Sequence, residues 1–288
     1  MTRADVGIIG GSGLYQAHGF SKVEEVAVET PFGEPSDHFA IGILSGKKVA
    51  FLARHNRQHT LLPHEINYRA NIFAMKKLGV KYIISASAVG SLRERYRPKH
   101  FVLPDQFIDR TRHRLDTFFG EGLAAHVEFA EPICPYLRGV LFKAGRKAGV
   151  QLHNGGTYLC MEGPQFSTKA ESMMYRSWDA DVIGMTNLQE AKLAREAEIA
   201  YASIAMVTDY DCWHEKEESV TVESVLAILK QNANAAIETI KLALEELDLS
   251  RENPIHSALQ FAILTPQSAI PNKRKSELIP IIGKYMED

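Results

Sequence analysis

Short unbroken apolar runs alternate along this chain with stretches of helical spacing. Residues 6–9 form a β-branched run that stops at Gly10-Gly11-Ser12-Gly13, which predicts a strand feeding a glycine turn. Residues 39–44 and 49–53 predict two more strands around a turn at Ser45-Gly46. Residues 63–78 predict a helix: Pro63 suits its first turn, Ile66, Ala70, Phe73 and Ala74 share a face, and Gly79 stops it. Residues 80–87 predict a buried strand followed by a glycine turn at Gly90. Residues 100–103, 156–160 and 181–183 predict short strands, and 136–148 and 188–198 predict helices. Residues 106–131 show no clear period and predict a long ordered excursion, a kind of segment that often carries function. Val222, Val225, Leu226, Leu229, Ala233, Ala236, Ile237, Ile240 and Leu244 form the apolar face of one long helix.

This alternation predicts an α/β fold on a mixed sheet in a single domain. No linker, repeat or composition break precedes about residue 249. From Ser250 onward the chain is interrupted by Pro254, Pro266, Pro271 and Pro280 and carries Lys273-Arg274-Lys275. That tail is expected to wrap over the body or a neighbouring chain. With 45% apolar and 24% charged residues and a net charge of −2, nothing points to a nucleic-acid or membrane surface. No apolar run approaches the roughly 18 residues that a bilayer span needs. The first residues enter a strand with no room for a signal peptide, and the three cysteines are scattered and odd in number. A reduced, cytoplasmic setting is expected.

The richest stretch is AYASIAMVTDYDCW, residues 200–213. Its apolar run suits a buried strand and ends in Asp209 and Asp211. If the backbone stays extended, side chains at i and i+2 point into one space, where the carboxyl end of a core strand usually meets a ligand. Burial favours the neutral form of a carboxyl group. A helix start capped by Thr208 or Asp209 is the competing reading. Five further segments could carry chemistry. The Gly10–Gly13 turn can offer backbone N–H groups to an anion, with Ser12 adding a hydroxyl, yet it is neither GxGxxG nor a P-loop. Arg54 in Arg54-His55-Asn56-Arg57-Gln58-His59 suits a tetrahedral oxyanion; a metal there would need helical His-x3-His spacing and a third ligand that the segment lacks. Ser85 to Ser91 ends a strand in small hydroxyl residues, and Glu162 to Ser167 puts Phe166 in a strand-end loop. Met185-Thr186 follows another short strand. Each also has a plain structural reading, as turn, cap or core filler. Together they suit a small ligand with an anion, a sugar and a heterocycle.

The stretches IIGGSGLY, TPFGEPSD, LARHNRQHTLLPHEINYRANIFAMKKLG, SAVGSLRERYRPKHFVLPDQFIDRT, EGPQFSTKAES, DVIGMTN and ASIAMVTDYDCW make the chain resemble the purine nucleoside phosphorylase superfamily, in its trimeric branch that cleaves 5′-methylthioadenosine. The resemblance spans about residues 6–266 and assigns 1–266 to a nucleoside phosphorylase domain, leaving 267–288 as a C-terminal tail of unknown role. It implies a mixed central sheet forming a distorted barrel flanked by helices, in a homotrimer with sites at subunit boundaries. It also implies phosphorolysis of methylthioadenosine to adenine and 5-methylthioribose 1-phosphate, with phosphate as co-substrate and no metal or organic cofactor. Carried over by position, phosphate would meet Ser12, Arg54, His55, Ser87, the Ala88 amide and Thr186. Met185 would lie under the ribose, and Phe166 and Ser167 would flank the purine. Asp209 would protonate N7 and Asp211 would accept from the 6-amino group. His126, Val222, Val225, Leu226 and Leu264 would surround the 5′-methylthio group, His126 and Leu264 from an adjacent subunit.

Other readings are a phosphorylase of 6-oxopurine nucleosides or methylthioinosine, a dinucleotide-dependent oxidoreductase, and a silent nucleoside-binding protein. The Asp pair argues against the first, because an ionised carboxylate repels a 6-oxo group. The missing third glycine, and the absence of an acidic residue closing a second strand, argue against the second.

Overall fold

Apolar runs that read as buried strands assemble here into one mixed sheet. The structure, a computed structural model, describes residues 3–11, 14, 21–214 and 222–286, with the backbone alone for 222–227 and 229. The strands are β1 (Val6–Gly10), β2 (Ser21–Val26), β3 (Phe39–Leu44), β4 (Lys47–Ala53), β5 (Tyr82–Ser91), β6 (Phe101–Leu103), β7 (Gln106–Arg110), β8 (Leu152–Asn154), β9 (Thr157–Met161), β10 (Val182–Gly184) and β11 (Ala200–Asp209). The α-helices are α1 (Tyr68–Lys77), α2 (Pro135–Lys147), α3 (Lys169–Ser177), α4 (Asn187–Glu196), α5 (Val222–Glu246) and α6 (Asn272–Ile282).

The sheet runs β2-β3-β4-β1-β5-β10-β9-β7, and β11 leaves β5 to pair with β6, which pairs with β8. β5 is the hinge of this arrangement. β1 pairs with its first half and β10 with Gly90 and Ser91, while β11 follows it along the opposite edge. Strands from both branches then share one interior: Val89, Val102, Tyr158, Cys160, Val182, Ala205 and Val207 pack in a single buried cluster. The sheet is therefore curled into a distorted barrel. Helix α1 packs against α4, and α2 against α5. β4, β1, β5 and β11 are mutually parallel, so their carboxyl ends share one rim, the usual place for a ligand.

The local outcomes depart from sequence expectation at informative points. α1 begins at Tyr68 and not at residue 63, because Asn67 caps it by accepting the Ala70 amide (3.1 Å) and the preceding residues form turns. β5 runs through Gly90 instead of turning there: Gly90 pairs with Ile183 on one side and Asp209 on the other. A Cβ at Gly90 would stand 3.1 Å from Asp209 Oδ1, so glycine here permits close approach and makes no turn. β2, sequence SKVEEV, is exposed along nearly its whole length and shows no apolar alternation. α3 carries a complete Thr168–Glu171 capping box, a readable signal that the hydrophobic pattern hides. Beyond residue 266, α6 lies on the body and buries Leu278, Ile281 and Ile282 in the main core. The Tyr285 hydroxyl donates to the buried Glu198, and Lys284 lies 2.7 Å from the same carboxylate.

Candidate active site

At the rim of parallel strand ends, Arg54 and Ser87 are connected through Glu190 and Asn187 of α4. Gly10 at the end of β1 accepts the Arg54 amide through its carbonyl (2.9 Å), which seats Arg54 beside the end of that strand. Ser12 lies outside the described residues. Arg54 is 2% exposed. Its Nε and Nη2 donate to the two oxygens of Glu190, Nη2 also to Ser85 Oγ (2.6 Å), and Nη1 to the Ala86 carbonyl (3.1 Å). Among the described residues these bonds occupy four of the five guanidinium N–H groups, leaving one on Nη1. Burial opposes the charge, but the Glu190 carboxylate more than offsets it and holds Arg54 cationic. An open fork aimed at phosphate is therefore not what the fold provides; the fork grips Glu190.

His55 is neutral. Burial first, and then the charge of Arg54, lower its pKa from 6.5 to about 4. Its Nδ1 is 2.8 Å from the Leu61 carbonyl, which can only accept, so Nδ1 carries the proton and Nε2 presents a lone pair. The ring stacks on His59 (4.6 Å between centroids), in a segment of turns with Asn56 and His59 in the left-handed region. The helix that a His-x3-His metal site would need is absent from this segment. Because His55 stays neutral in the folded state while the unfolded chain takes up a proton below pH 6.5, its contribution to stability is lost as pH falls from 6.5 towards 4. In an NMR titration the His55 ring signals should stay flat down to about pH 5, as the lowered pKa requires. A midpoint near 6.5 would refute the buried, neutral assignment.

Ser87 donates to Asn187 Oδ1 (2.5 Å), tying β5 to the start of α4. Thr186 is the N-cap residue of α4, yet its side chain makes no cap hydrogen bond. The start of α4, where Asn187 accepts from Ser87, thus lies beside Ser87, in an arrangement suited to an anion. Ala88, next on β5, is exposed.

The carboxylate pair lies further along β5. β11 reaches Asp209, which excludes the helix-cap reading, and a bulge between Val207 and Asp209 makes Thr208 the extra residue. Asp211 is in a turn beyond the strand, so simple i, i+2 alternation does not apply. The two nonetheless converge over Gly90, whose Cβ would lie 3.1 Å from Asp209 Oδ1 and 3.4 Å from Asp211 Cβ. Thr208 Oγ1 is 2.6 Å from Asp209 Oδ2 and 3.3 Å from the Val89 carbonyl. Asp211 is 7% exposed, and its Oδ2 is buried with no hydrogen-bond partner among the described residues. Leaving such an acceptor unpaired costs about 1–3 kcal/mol, which marks it as awaiting a donor. The Cys212 thiol donates to the Ser167 carbonyl (3.3 Å), holding the Phe166 loop against this turn. Phe166 is 68% exposed, too open for a core residue. Met185 packs against Gly163, whose Cβ would fall 2.6 Å from the Met185 sulfur; Gly163 also has φ of +69°.

Two further residues support the site. Arg114 donates to the carbonyls of Met161, Glu162 and Met185 and to Gln189, so one buried guanidinium ties together the strand ends around Met185. Glu190 anchors Arg54, Ser85 and Tyr201. Asn187 and Glu190 stand at i and i+3 of α4, a spacing that places both on one face and could have been read. Arg114 lies in the aperiodic excursion and has no such signal. His126 and Leu264 are exposed and held together by the bridge between Ala125 and Ile263, but no described contact joins them to the other site residues. The side chains of Val222, Val225 and Leu226 lie outside the described residues. No cluster of His, Cys, Asp and Glu among the described residues could hold a metal ion, and no helix among them is long and apolar enough to cross a membrane.

The family model of the phosphorylase superfamily matches residues 5–245, a span that contains every strand end described above. The chain belongs to the phosphorylase superfamily. Within this superfamily it is 58% identical over 283 residues to the S-methyl-5′-thioadenosine phosphorylase of Koribacter versatilis, covering 98% of this chain and 97% of that one. The enzyme of the same name from Geobacter sulfurreducens is 56% identical over 98% of this chain and 99% of its own. A crystal structure of a methylthioadenosine phosphorylase from an antarctic soil metagenomic library superposes with a TM-score of 0.94 at 49% identity, covering 98% of this chain and 99% of that one. Methylthioadenosine phosphorylase from Schistosoma mansoni in complex with adenine gives a TM-score of 0.83 at 33% identity, with 98% of each chain covered.

Proposed function

We propose that this phosphorylase cleaves 5′-methylthioadenosine with inorganic phosphate, giving adenine and 5-methylthioribose 1-phosphate. Relatives of that name at up to 58% identity over nearly the full chain support the substrate, and adenine bound by the Schistosoma mansoni relative supports the base. The observation that carries the base reading is the Asp209–Asp211 pair over Gly90, with Asp211 Oδ2 buried and awaiting a donor such as the 6-amino group of adenine.

Phosphate oxygen attacks C1′ as the C1′–N9 bond breaks, and the departing purine takes its electron pair. Asp209 hands a proton to N7, so the base leaves neutral. Thr208 suits both states of this carboxyl: its hydroxyl donates to the ionised form, and turns to the Val89 carbonyl when Oδ2 carries the proton. The uncapped start of α4, Ser87, Ala88, Thr186, His55, Arg54 and Ser12 position phosphate. The bare Nε2 of His55 accepts from a phosphate hydroxyl and adds no charge. Met185 underlies the ribose, with Phe166 and Ser167 along the purine. Val222, Val225 and Leu226, completed by His126 and Leu264 of a neighbouring subunit in a homotrimer, enclose the methylthio group. The chemistry requires no metal or organic cofactor, and a cytoplasmic site of action fits the reaction.

Side-by-side assays of phosphate-dependent base release test the reading. Rapid adenine release from methylthioadenosine, with little hypoxanthine from methylthioinosine, is expected. The reverse preference would show that the carboxylate pair does not select a 6-amino group. Light scattering should give three times the chain mass.

A further inference from the structure

We propose that Glu190, seated beneath the anion site, is the positioning residue that sets phosphate affinity by holding Arg54 and, through Asn187, Ser87. The inference rests on the reading of this rim as a phosphate site.

Glu190 has no route to the substrate of its own. It is 2% exposed on α4, a helix buried almost all round, with Arg54 across both of its oxygens. Oε2 also accepts from Ser85 Oγ (2.7 Å) and from the Tyr201 hydroxyl (2.8 Å). Asn187 completes the web. Its Nδ2 donates to Ser85 Oγ and to the Tyr201 oxygen (2.8 Å each) and reaches towards Glu190 Oε2 (3.5 Å). A carboxylate can only accept, so Asn187 must turn its amide nitrogen inward and its carbonyl oxygen outward, where it takes the Ser87 hydroxyl proton (2.5 Å).

Two consequences follow for an arriving phosphate. Arg54 is locked in one orientation, with a single N–H left among the described residues, and its charge is matched inside the protein. Ser87 has its proton committed to Asn187 Oδ1. Phosphate therefore meets fixed, preoriented atoms and no loose cation. The affinity of that arrangement depends on the acceptor pattern of Glu190, which lies one layer below any atom that phosphate touches. Glutamine at this position keeps the shape but replaces one acceptor by a donor, so Arg54, Ser85 and Tyr201 can no longer all be satisfied. The disturbance travels to Arg54 and Ser87 and leaves the Asp209–Asp211 end of β5 untouched.

The test is steady-state kinetics of Glu190→Gln and Tyr201→Phe with phosphate and methylthioadenosine varied in turn. Tyr201→Phe removes one hydroxyl from the web, keeps the charge and volume, and decides the matter if Glu190→Gln does not fold. In Glu190→Gln the KM for phosphate should rise about tenfold or more, the scale of one lost charge-assisted hydrogen bond, with an unchanged KM for the nucleoside. Tyr201→Phe should show a smaller rise in the same direction. Added phosphate should also raise the melting temperature of each variant less than that of the unaltered protein. A wild-type phosphate KM in Tyr201→Phe and in folded Glu190→Gln would overturn the proposal and reduce Glu190 to a structural ion pair. Base release that needs no phosphate in the unaltered protein would instead remove the phosphate site itself, and this inference with it.

Discussion

Asp209→Asn is expected to lower turnover of methylthioadenosine by about 10²–10⁴-fold, the span of a lost general acid. That corresponds to about 3–5 kcal/mol of transition-state stabilisation. The substitution keeps volume and can still donate a hydrogen bond to N7, but it cannot transfer the proton. The purine would then have to depart as an anion or wait for water. Binding should suffer much less than turnover, because Asp211 and the Phe166 loop are untouched. The contrast between kcat and KM separates this from a packing defect: a packing defect at the bulge would move Thr208 and weaken nucleoside binding as well. Unchanged kcat in steady-state assays would remove Asp209 from the mechanism. A parallel assay with a substrate whose leaving group needs no protonation should show little difference between the two proteins.

The sequence makes Asp209 visible because a long apolar run points at it, and burial of such a run follows from hydrophobicity alone. It does not reveal how the pair is aimed. Strict alternation would place Asp209 and Asp211 together, but the chain reaches that outcome through a bulge at Thr208 and a turn after the strand, both set by pairing with Gly90 of β5. Such pairing is a tertiary fact and has no local signature. Arg54 shows the complementary case. The residue type pointed to an anion, and its position at a strand end is right for one. Yet the partner that occupies its fork is 136 residues away, on a helix whose apolar pattern gives a glutamate no special standing. Arg114, buried beneath Met185, was hidden for a similar reason: the excursion that carries it has no period to read. Strand β2 escaped because it is exposed along nearly its whole length, and its ladder to β3 holds it extended.

The same buried pair carries the largest stability effect expected of a single substitution in this site. Arg54→Met should destabilise the fold by about 3–5 kcal/mol, because it leaves the Glu190 carboxylate buried without its counter-charge. Ser85, Tyr201 and Asn187 still donate to that carboxylate, so the charge is solvated in part, and the lower end of the range is the better expectation. Replacing both partners, Arg54→Met with Glu190→Leu, removes the stranded charge and should recover much of the loss, since a buried pair exchanged for apolar groups is often close to neutral. Recovery stops short of complete because Ser85 and Tyr201 lose their shared acceptor. Phosphate dependence should not return, for the double variant has neither the cation nor the web that orients Ser87. Urea unfolding at one protein concentration, with and without phosphate, reads both effects. An Arg54→Met midpoint equal to that of the unaltered protein would mean that the ion pair contributes nothing to the fold, and that Arg54 is kept in place by phosphate alone.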